Sequence, residues 1–297
     1  MIPPLTVIAG PTASGKTALA IEVARRQGAE IVSADSQQVY RFFDIGTAKP
    51  SLQERAAVPH HLVSCVDPTE AFSVARFQSL ADVAIDDITR RGRRVVVVGG
   101  TGLYVRVLLH GVVEAPGKDE ALRRSLEAFA DEAGDEALHR QLEAVDPASA
   151  ARLPVADRVR IIRALEISRL TGRPASAWRA EHRFVADRYA YRLWVLDPPR
   201  PALYAAIDAR TRSMFDRGLV GEVRGLLERG WRDTAPMGAV GYAQALECLE
   251  GRLTVEEAVA QTAQATRHYA KRQWTWFKRE RGAIFVPPPY DAGGIVG

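Results

Sequence analysis

Residues 10–17 carry the most specific chemical pattern in this sequence. They read GPTASGKT, which matches the pattern GxxxxGK[ST] of phosphate-binding loops. The loop lies between an apolar run, Leu5 to Ala9, and a helix-like segment, Thr17 to Arg26, as the pattern requires. In such a loop the backbone N–H groups point at phosphate oxygens, and the next helix presents its positive end. We therefore expect a pyrophosphate to bind at Gly10, Pro11, Thr12, Ala13, Ser14, Gly15, Lys16 and Thr17.

Two side chains of this P-loop have separate expected roles. Lys16 supplies a mobile positive charge for the phosphates, and the hydroxyl of Thr17 can bind Mg²⁺. We therefore expect Mg²⁺ as the cofactor and Thr17 as its ligand. A chance match in an ordinary turn is the alternative, and the flanking strand and helix disfavour it.

A second candidate site follows the next predicted strand, Glu30 to Ala34. Asp35 would lie at the carboxyl edge of that strand, where parallel sheets bind their ligands. Its carboxylate could accept a proton from an attacking amine or alcohol, or hold a metal. The amides of Gln37 and Gln38 could read the edge of a base. A simple turn at Asp35-Ser36 explains the same residues equally well.

The predicted strand Arg94 to Val98 ends in glycines instead of a carboxylate. Ordinary P-loop ATPases place an Asp after such a strand to help hold Mg²⁺, whereas this chain has Gly-Gly-Thr-Gly at residues 99–102. The difference disfavours an NTPase. Thr101 could donate a hydrogen bond to a leaving pyrophosphate, or it could only cap the following helix.

The order of these segments predicts the fold. Strands and helices alternate over the first hundred residues, which favours a P-loop NTPase-like parallel sheet flanked by helices. The following residues read as helices only, until strand character returns at Tyr191 to Leu196. We expect an α/β core with an all-helical insertion and a helical C-terminal region, divided as 1–117 (core, first part), 118–188 (insertion), 189–286 (core, second part, mostly helical) and 287–297 (loose tail).

The composition excludes several classes of protein. The chain has 297 residues, of which 47 % are hydrophobic and 26 % charged, as is ordinary for a globular protein. It lacks an apolar run of about 18 residues that could span a membrane, and its start lacks the features of a secretory signal. Cys65 and Cys248 stand far apart, which disfavours a zinc finger or a disulfide framework. We expect a cytoplasmic monomer that does not bind membranes.

A basic segment near the C-terminus indicates a nucleic-acid partner. The net charge is +4, and six Lys or Arg residues lie between Arg267 and Arg281, interleaved with four aromatic residues. Such cations bind phosphates and such rings stack on bases. Arg158, Arg160 and Arg163 form a similar basic stripe on a predicted helix of the insertion. In both places the alternative is a helix whose charges are only solvated.

Taken together, these motifs resemble those of bacterial tRNA dimethylallyltransferases. The P-loop and the segments 35–40 (DSQQVY), 46–50 (GTAKP) and 99–104 (GGTGLY) occur in that family's order, and the match continues at 157–166, 238–242 and 271–277. The resemblance covers the chain to about residue 280. It implies that dimethylallyl diphosphate donates a prenyl group to the N6 amine of the adenosine 3′ of the anticodon, in tRNAs that read codons beginning with U.

The resemblance also implies roles for particular residues. It makes Asp35, Thr101, Lys16 and Arg210 catalytic, with Arg210 at the pyrophosphate, although the sequence around Arg210 shows only a charge on an amphipathic helix. It implies that the insertion grips the anticodon stem-loop. With the basic segments, it leads us to expect tRNA contacts from Asp35, Ser36, Gln37, Gln38, Thr101, Arg123, Val159, Arg160, Ile161, Ile162, Arg163, Gly241, Tyr242, Lys271, Arg272, Gln273, Trp274 and Lys278.

Three other functions share some of these features. A prenyltransferase that acts on free AMP, ADP or ATP would also need the P-loop and the Asp-Ser motif, but not the basic aromatic segment or the insertion. A small-molecule kinase would need the carboxylate that is missing after Val98. A non-catalytic RNA-binding module would need none of Lys16, Thr17 and Asp35.

Overall fold

A computed structural model describes residues 4–112, 119–182 and 187–296, which form two compact units. The first unit comprises the chain up to His110 and from Asp187 onward, and the second runs from Gly111 to Ala186. The second unit corresponds to the predicted helical insertion, whose expected start at residue 118 lies outside the described residues.

The described part of the first unit contains a six-stranded parallel sheet with the strand order β3-β2-β4-β1-β5-β6. This arrangement confirms the predicted fold class. Because β1 lies between β4 and β5, the loop that follows β1 is central in the sheet. The strands are β1 (Leu5–Ala9), β2 (Ala29–Ser33), β3 (His60–His61), β4 (Arg94–Gly99), β5 (Tyr191–Leu196) and β6 (Ala283–Val286).

The helices follow in chain order. In the first unit they are α1 (Lys16–Gln27), α2 (Leu52–Ala57), α3 (Val74–Arg90) and α4 (Gly102–His110). The second unit contains α5 (Glu120–Ala133), α6 (Asp135–Val145), α7 (Pro147–Ala150), α8 (Arg158–Thr171) and α9 (Ala175–His182). The first unit resumes with α10 (Arg200–Asp216), α11 (Leu219–Glu228), a 3₁₀ helix (Ala235–Gly238), α12 (Tyr242–Leu249), α13 (Val255–Phe277) and α14 (Ala292–Val296). None of these helices, in the part of the chain that is described, is long and apolar enough to cross a membrane.

Both faces of the sheet are buried, which explains the nearly continuous apolar runs of its strands. Along β1, Leu5 and Val7 pack on the face that α3 and α4 cover, and Ile8 packs on the face that α1 and α14 cover. The four valines of β4 are each at most 7 % exposed. This double burial fixes the strand ends, and therefore the loops that follow β1, β2 and β4.

The C-terminal region differs from the prediction in two respects. The sequence analysis predicts no strand after β5. In the structure, β6 pairs with β5 and places Phe285 beside Val195. The prediction of a loose tail is wrong, because Ala292 and Ile295 are 1 % and 4 % exposed and pack in the core with α1. The prolines and glycines around them hide this short apolar stripe in the sequence.

Candidate active site

The P-loop connects β1 to the start of α1. Gly10 and Gly15 have φ angles of 147° and 85°, which residues with a side chain rarely adopt. The Nζ atom of Lys16 donates a hydrogen bond to the carbonyl oxygen of Pro11 at 3.1 Å, so the lysine folds back across the loop. A cavity of about 360 Å³ lies here, lined by Lys16 and Thr17 among others. The loop thus has the cradle geometry that its sequence pattern predicts.

Arg210 reaches this loop from α10. Its guanidinium donates a hydrogen bond to the hydroxyl of Thr12, and its side chain lines the P-loop cavity. Burial, and then the nearby Arg210, lower the pKa of Lys16 to about 8. Burial likewise lowers the pKa of Arg210, although Asp35 opposes this shift. Two desolvated cations therefore lie close together, and an anion bound between them would stabilise both charges.

Asp35 follows β2, and its side chain both forms a turn and lines a cavity. Its Oδ1 atom accepts hydrogen bonds from the backbone N–H groups of Gln37 and Gln38, at 2.8 and 3.2 Å, and so forms the expected turn. No hydrogen bond from a described residue reaches Oδ2, and the residue lines a cavity of about 290 Å³. One carboxylate oxygen holds the loop, and the other is available to a ligand.

Thr101 is fixed beside the Asp35 loop. Its hydroxyl accepts a hydrogen bond from the backbone N–H of Ser36 at 3.2 Å. The first amides of α4, at Tyr104 and Val105, donate to the backbone oxygen of Thr101 instead of its hydroxyl. The alternative in which the Thr101 side chain only caps this helix is therefore wrong. The hydroxyl belongs to the loops at the carboxyl edge of the sheet.

The glycines around Thr101 are required by close packing. A Cβ atom on Gly99 would lie 2.1 Å from the backbone oxygen of Ala34. A Cβ atom on Gly102 would lie 2.2 Å from the ring of Trp276. This packing leaves no room for a side chain at either glycine.

The cavity that Asp35 lines is adjacent to the P-loop cavity, because Ala48 and Arg210 line both. Tyr269 of α13 forms another part of its wall. Burial, and then Asp35, raise the pKa of Tyr269 to about 12, although hydrogen bonds with Thr101 and Gln273 act in the opposite direction. The sequence analysis counts Tyr269 only among the four aromatic residues of the basic segment and misses its position beside the candidate base.

The two glutamines after Asp35 differ in their availability. The Nε2 atom of Gln38 donates hydrogen bonds to the backbone oxygens of Thr47 and Ala48, both at 3.3 Å, so this amide holds the neighbouring loop. Gln37 lines the cavity, and its buried Oε1 atom has no hydrogen-bond partner among the described residues. Gln37 is therefore the better placed of the two to read a base.

Three of the expected tRNA contacts have buried side chains. Ile161 and Ile162 are 0 % and 4 % exposed in the core of the second unit, and Gln273 is 6 % exposed in the first. Direct RNA contact through these side chains is therefore wrong. The apolar spacing of α8 places the two isoleucines inward, whereas the amide of Gln273 is taken up by two backbone groups.

Tyr242 is also fully buried, and its hydroxyl has a structural role. It accepts a hydrogen bond from the backbone N–H of Gly46 at 3.1 Å and donates one to Glu222 at 2.6 Å. Glu222 in turn accepts from the backbone N–H of Ile45 at 2.9 Å. Tyr242 lines the Asp35 cavity and holds the loop at Ile45 and Gly46, and its predicted contact with tRNA stays a prediction. Gly241, which precedes it with a φ of 97°, begins α12.

In the second unit, Arg123 and Arg163 share one buried carboxylate. Arg123 donates two hydrogen bonds to Glu166, at 2.8 and 2.9 Å, and Arg163 donates another. Burial raises the pKa of Glu166, but the hydrogen bonds from these arginines outweigh it and hold the pKa at about 2. The side chains of Arg123 and Arg163 remain 19 % and 33 % exposed. Glu166 thus fixes two cations at the surface of this unit.

The remaining expected RNA contacts lie at the surface. In α8, Val159 is 77 % exposed, and the side chain of Arg160 is 71 % exposed. Lys271 and Arg272 in α13, and Lys278 directly after it, are exposed. The Nζ atom of Lys278 lies 4.4 Å from the centre of the Trp274 ring. Their contact with RNA stays a prediction.

The parallel sheet, the intact phosphate cradle and the cations beside it define a P-loop protein. A family model described as "IPP transferase" matches residues 38–280, and one described as "Isopentenyl transferase" matches residues 3–58. The tRNA dimethylallyltransferase of Myxococcus xanthus (strain DK1622) is 64 % identical over 99 % of this chain and 96 % of that protein. This chain belongs to the IPP transferase family.

Solved structures agree with this assignment. The full-length tRNA isopentenylpyrophosphate transferase from Bacillus halodurans is 41 % identical, with a TM-score of 0.69 over 96 % of this chain and 89 % of that one. A eukaryotic dimethylallyltransferase acting on tRNA is 28 % identical, with a TM-score of 0.82 over 96 % of this chain and 74 % of that one. The similarity therefore extends over both units of the chain.

Proposed function

We propose that this chain is a tRNA dimethylallyltransferase. It transfers a dimethylallyl group from dimethylallyl diphosphate to the N6 amine of the adenosine 3′ of the anticodon, in tRNAs that read codons beginning with U, and forms N6-isopentenyladenosine. The observation that carries this proposal is that the phosphate cradle and the cavity of Asp35 share Arg210 in their walls. A donor and an acceptor bound in these two neighbouring cavities would lie side by side.

The donor's pyrophosphate binds in the P-loop cavity. Lys16 and Arg210 are two desolvated cations at this cavity, so they can stabilise the negative charge that develops on pyrophosphate as it leaves. Thr101 lies at the adjacent loop, where its hydroxyl accepts from Ser36; in this proposal the hydroxyl turns its own proton to the same leaving group.

Mg²⁺ fits this site by the chemistry of its ligands. Thr17 lines the cavity at the start of α1 and offers a hard oxygen ligand. Among the described residues, no group of three or more His, Cys, Asp or Glu side chains could hold a metal. We therefore place the cation with Thr17 and the donor's phosphate oxygens, where it would neutralise charge on the pyrophosphate.

The acceptor amine enters the cavity of Asp35. As its nitrogen forms a bond with C1 of the dimethylallyl group, the bond from C1 to the pyrophosphate oxygen breaks, and the amine proton passes to Oδ2 of Asp35. Oδ2 is the oxygen that the turn leaves available. An adenosine stacked in the anticodon loop must leave the stack to reach this position, as in other enzymes that act on bases. Gln37 could then bind the edge of the extruded base.

Exposed cations on α13 and α8 supply the RNA-binding surfaces. The helix α13 carries Lys271 and Arg272, and Lys278 directly follows it. The helix α8 carries Arg160. The names of the relatives support a tRNA acceptor. A prenyltransferase for free adenine nucleotides would have no use for these surfaces.

One experiment separates the alternatives. The chain is incubated with labelled dimethylallyl diphosphate and Mg²⁺, together with tRNA, AMP or no acceptor. We expect label on tRNA alone. Label on AMP with none on tRNA would establish an adenylate isopentenyltransferase, and phosphoryl transfer from ATP to a small molecule would establish a kinase.

A further inference from the structure

Gln273 lies at the junction of the two loops that face the donor. It stands on α13 and is 6 % exposed. Its Oε1 atom accepts a hydrogen bond from the backbone N–H of Thr12 at 2.8 Å, and its Nε2 atom donates one to the backbone oxygen of Gly100 at 2.9 Å. A single buried amide therefore connects the P-loop to the turn that carries Thr101.

The space around this amide is closely filled. A Cβ atom on Gly100 would lie 2.2 Å from Nε2 of Gln273, so the amide occupies the volume that any larger residue at position 100 would need. Thr12 is held at a second point as well, because Arg210 donates to its hydroxyl. The position of Thr12 is thus set jointly by α10 and α13.

The chemistry of the connection selects an amide. The side chain must accept at one end and donate at the other, and among side chains of this length only glutamine does both without a charge. A methionine of similar length would leave the Thr12 N–H and the Gly100 carbonyl without partners, and unpartnered buried groups are costly. The loops would then have to move to reach other partners.

We propose that Gln273 is a positioning residue for the donor's pyrophosphate. By connecting Thr12 to Gly100, it sets the separation between the P-loop and Thr101, so that both face the same leaving group. This inference rests on the proposed use of the P-loop as the donor site. It does not depend on which acceptor is used.

The test measures binding of inorganic pyrophosphate with Mg²⁺ to the full chain by calorimetry, without RNA. For Gln273→Met we expect the Kd for pyrophosphate to rise about tenfold, the usual effect of leaving a buried hydrogen-bonding group unpartnered. The kcat/KM for dimethylallyl diphosphate should fall by about the same factor, while the Kd for tRNA stays within about twofold. Because pyrophosphate binding needs no acceptor, this result stands even if tRNA is not the substrate.

The control is Phe277→Leu. Phe277 lies on the same helix, is fully buried and packs in the core against the sheet, and its side chain has no group that could hydrogen-bond to either loop. The Phe277→Leu variant should have a lower melting temperature and unchanged pyrophosphate binding. If Gln273→Met and Phe277→Leu both lower the melting temperature and neither changes pyrophosphate binding, Gln273 is only structural and the proposal is overturned.

A second variant approaches the same contact from the opposite side. Gly100→Ala leaves α13 unchanged and displaces the Gln273 amide, so it should reproduce the weaker pyrophosphate binding even if Gln273→Met does not fold. When both changes are combined in one chain, the Kd for pyrophosphate should rise little more than with either change alone, because both remove the same hydrogen-bonded connection. Normal pyrophosphate binding by Gly100→Ala, or fully additive effects, would contradict the proposal.

Discussion

Replacing Asp35 by asparagine separates its two roles at the carboxyl edge of β2. Asparagine keeps an oxygen that can accept from the backbone N–H groups of Gln37 and Gln38, which now donate at 2.8 and 3.2 Å. It replaces the oxygen facing the cavity with an NH₂ group, which cannot accept a proton. The loop should therefore keep its conformation, and the proposed general base should be lost.

The expected magnitude follows from these contacts. A positioned general base contributes about 10²–10⁴-fold to rate, which corresponds to about 3–5 kcal/mol of transition-state stabilisation. Both hydrogen bonds of the turn remain possible, although their acceptor is now neutral, so the free energy of unfolding should fall by only about 1 kcal/mol. Turnover should therefore fall far more than stability does.

The assay is single-turnover prenylation of tRNA, with donor and tRNA affinities measured separately. Asp67→Asn is a matched control, because Asp67 makes the same kind of turn, accepting from the N–H of Thr69 at 3.0 Å in an exposed loop. We expect this control to keep normal turnover.

Two results would refute the reasoning for Asp35→Asn. Loss of Mg²⁺-dependent donor binding would make Asp35 a metal ligand. Near-normal turnover would leave Asp35 as a turn residue and require pyrophosphate or water to take the proton.

The remaining predictions concern the donor site and the RNA surface. Lys16→Ala should abolish donor use and leave the Kd for tRNA unchanged; loss of tRNA affinity with normal donor binding would reverse the assignment of the two sites. The pKa of Lys16 is about 8, so its positive charge is present below this pH and lost above it. In the wild type, kcat/KM for the donor should therefore fall as pH rises through about 8. A pH-independent profile from about pH 7 to 9 would contradict this prediction. Neutralising Lys271, Arg272 and Lys278 together should flatten the salt dependence of tRNA binding by about one unit of log–log slope for each phosphate that these cations bind. The control Arg90→Ala, at the C-terminal end of α3, should leave this slope unchanged. An unchanged slope in the triple variant would mean that the three charges are only solvated.

The sequence predicts the elements whose signal is local. The strands Leu5–Ala9 and Tyr191–Leu196 are predicted with their observed bounds, because most of the five or six adjacent residues in each are apolar. The loop and helix after β1 follow in the same way from a contiguous pattern. Asp35 can be predicted as a site residue because it directly follows a strand, and the carboxyl ends of parallel strands form the ligand-binding edge of the sheet.

The features that the sequence alone does not reveal depend on contacts between distant segments. Gln273 stands between exposed cations and an aromatic residue, and reads as part of a surface, until its bonds to Thr12 and Gly100 are known. Arg210 reads as a solvated charge for the same reason, and only the family resemblance singles it out. Ile161 and Ile162 are different, because the helical spacing of apolar residues in α8 already points them inward.

The end of β4 differs from the corresponding strand end of P-loop ATPases. P-loop ATPases use an Asp after such a strand to hold Mg²⁺. Here β2 and β4 approach so closely that a Cβ atom on Gly99 would lie 2.1 Å from the backbone oxygen of Ala34, which cannot move aside as a flexible side chain could. The carboxylate instead follows β2, at Asp35, where one oxygen holds the turn and the other is available in a cavity that it shares with Tyr269. In the proposed reaction this carboxylate takes the proton of the acceptor amine, while the cations at the P-loop stabilise the leaving pyrophosphate. Close backbone packing leaves no room for a side chain at residue 99, and the proposed base follows the neighbouring strand.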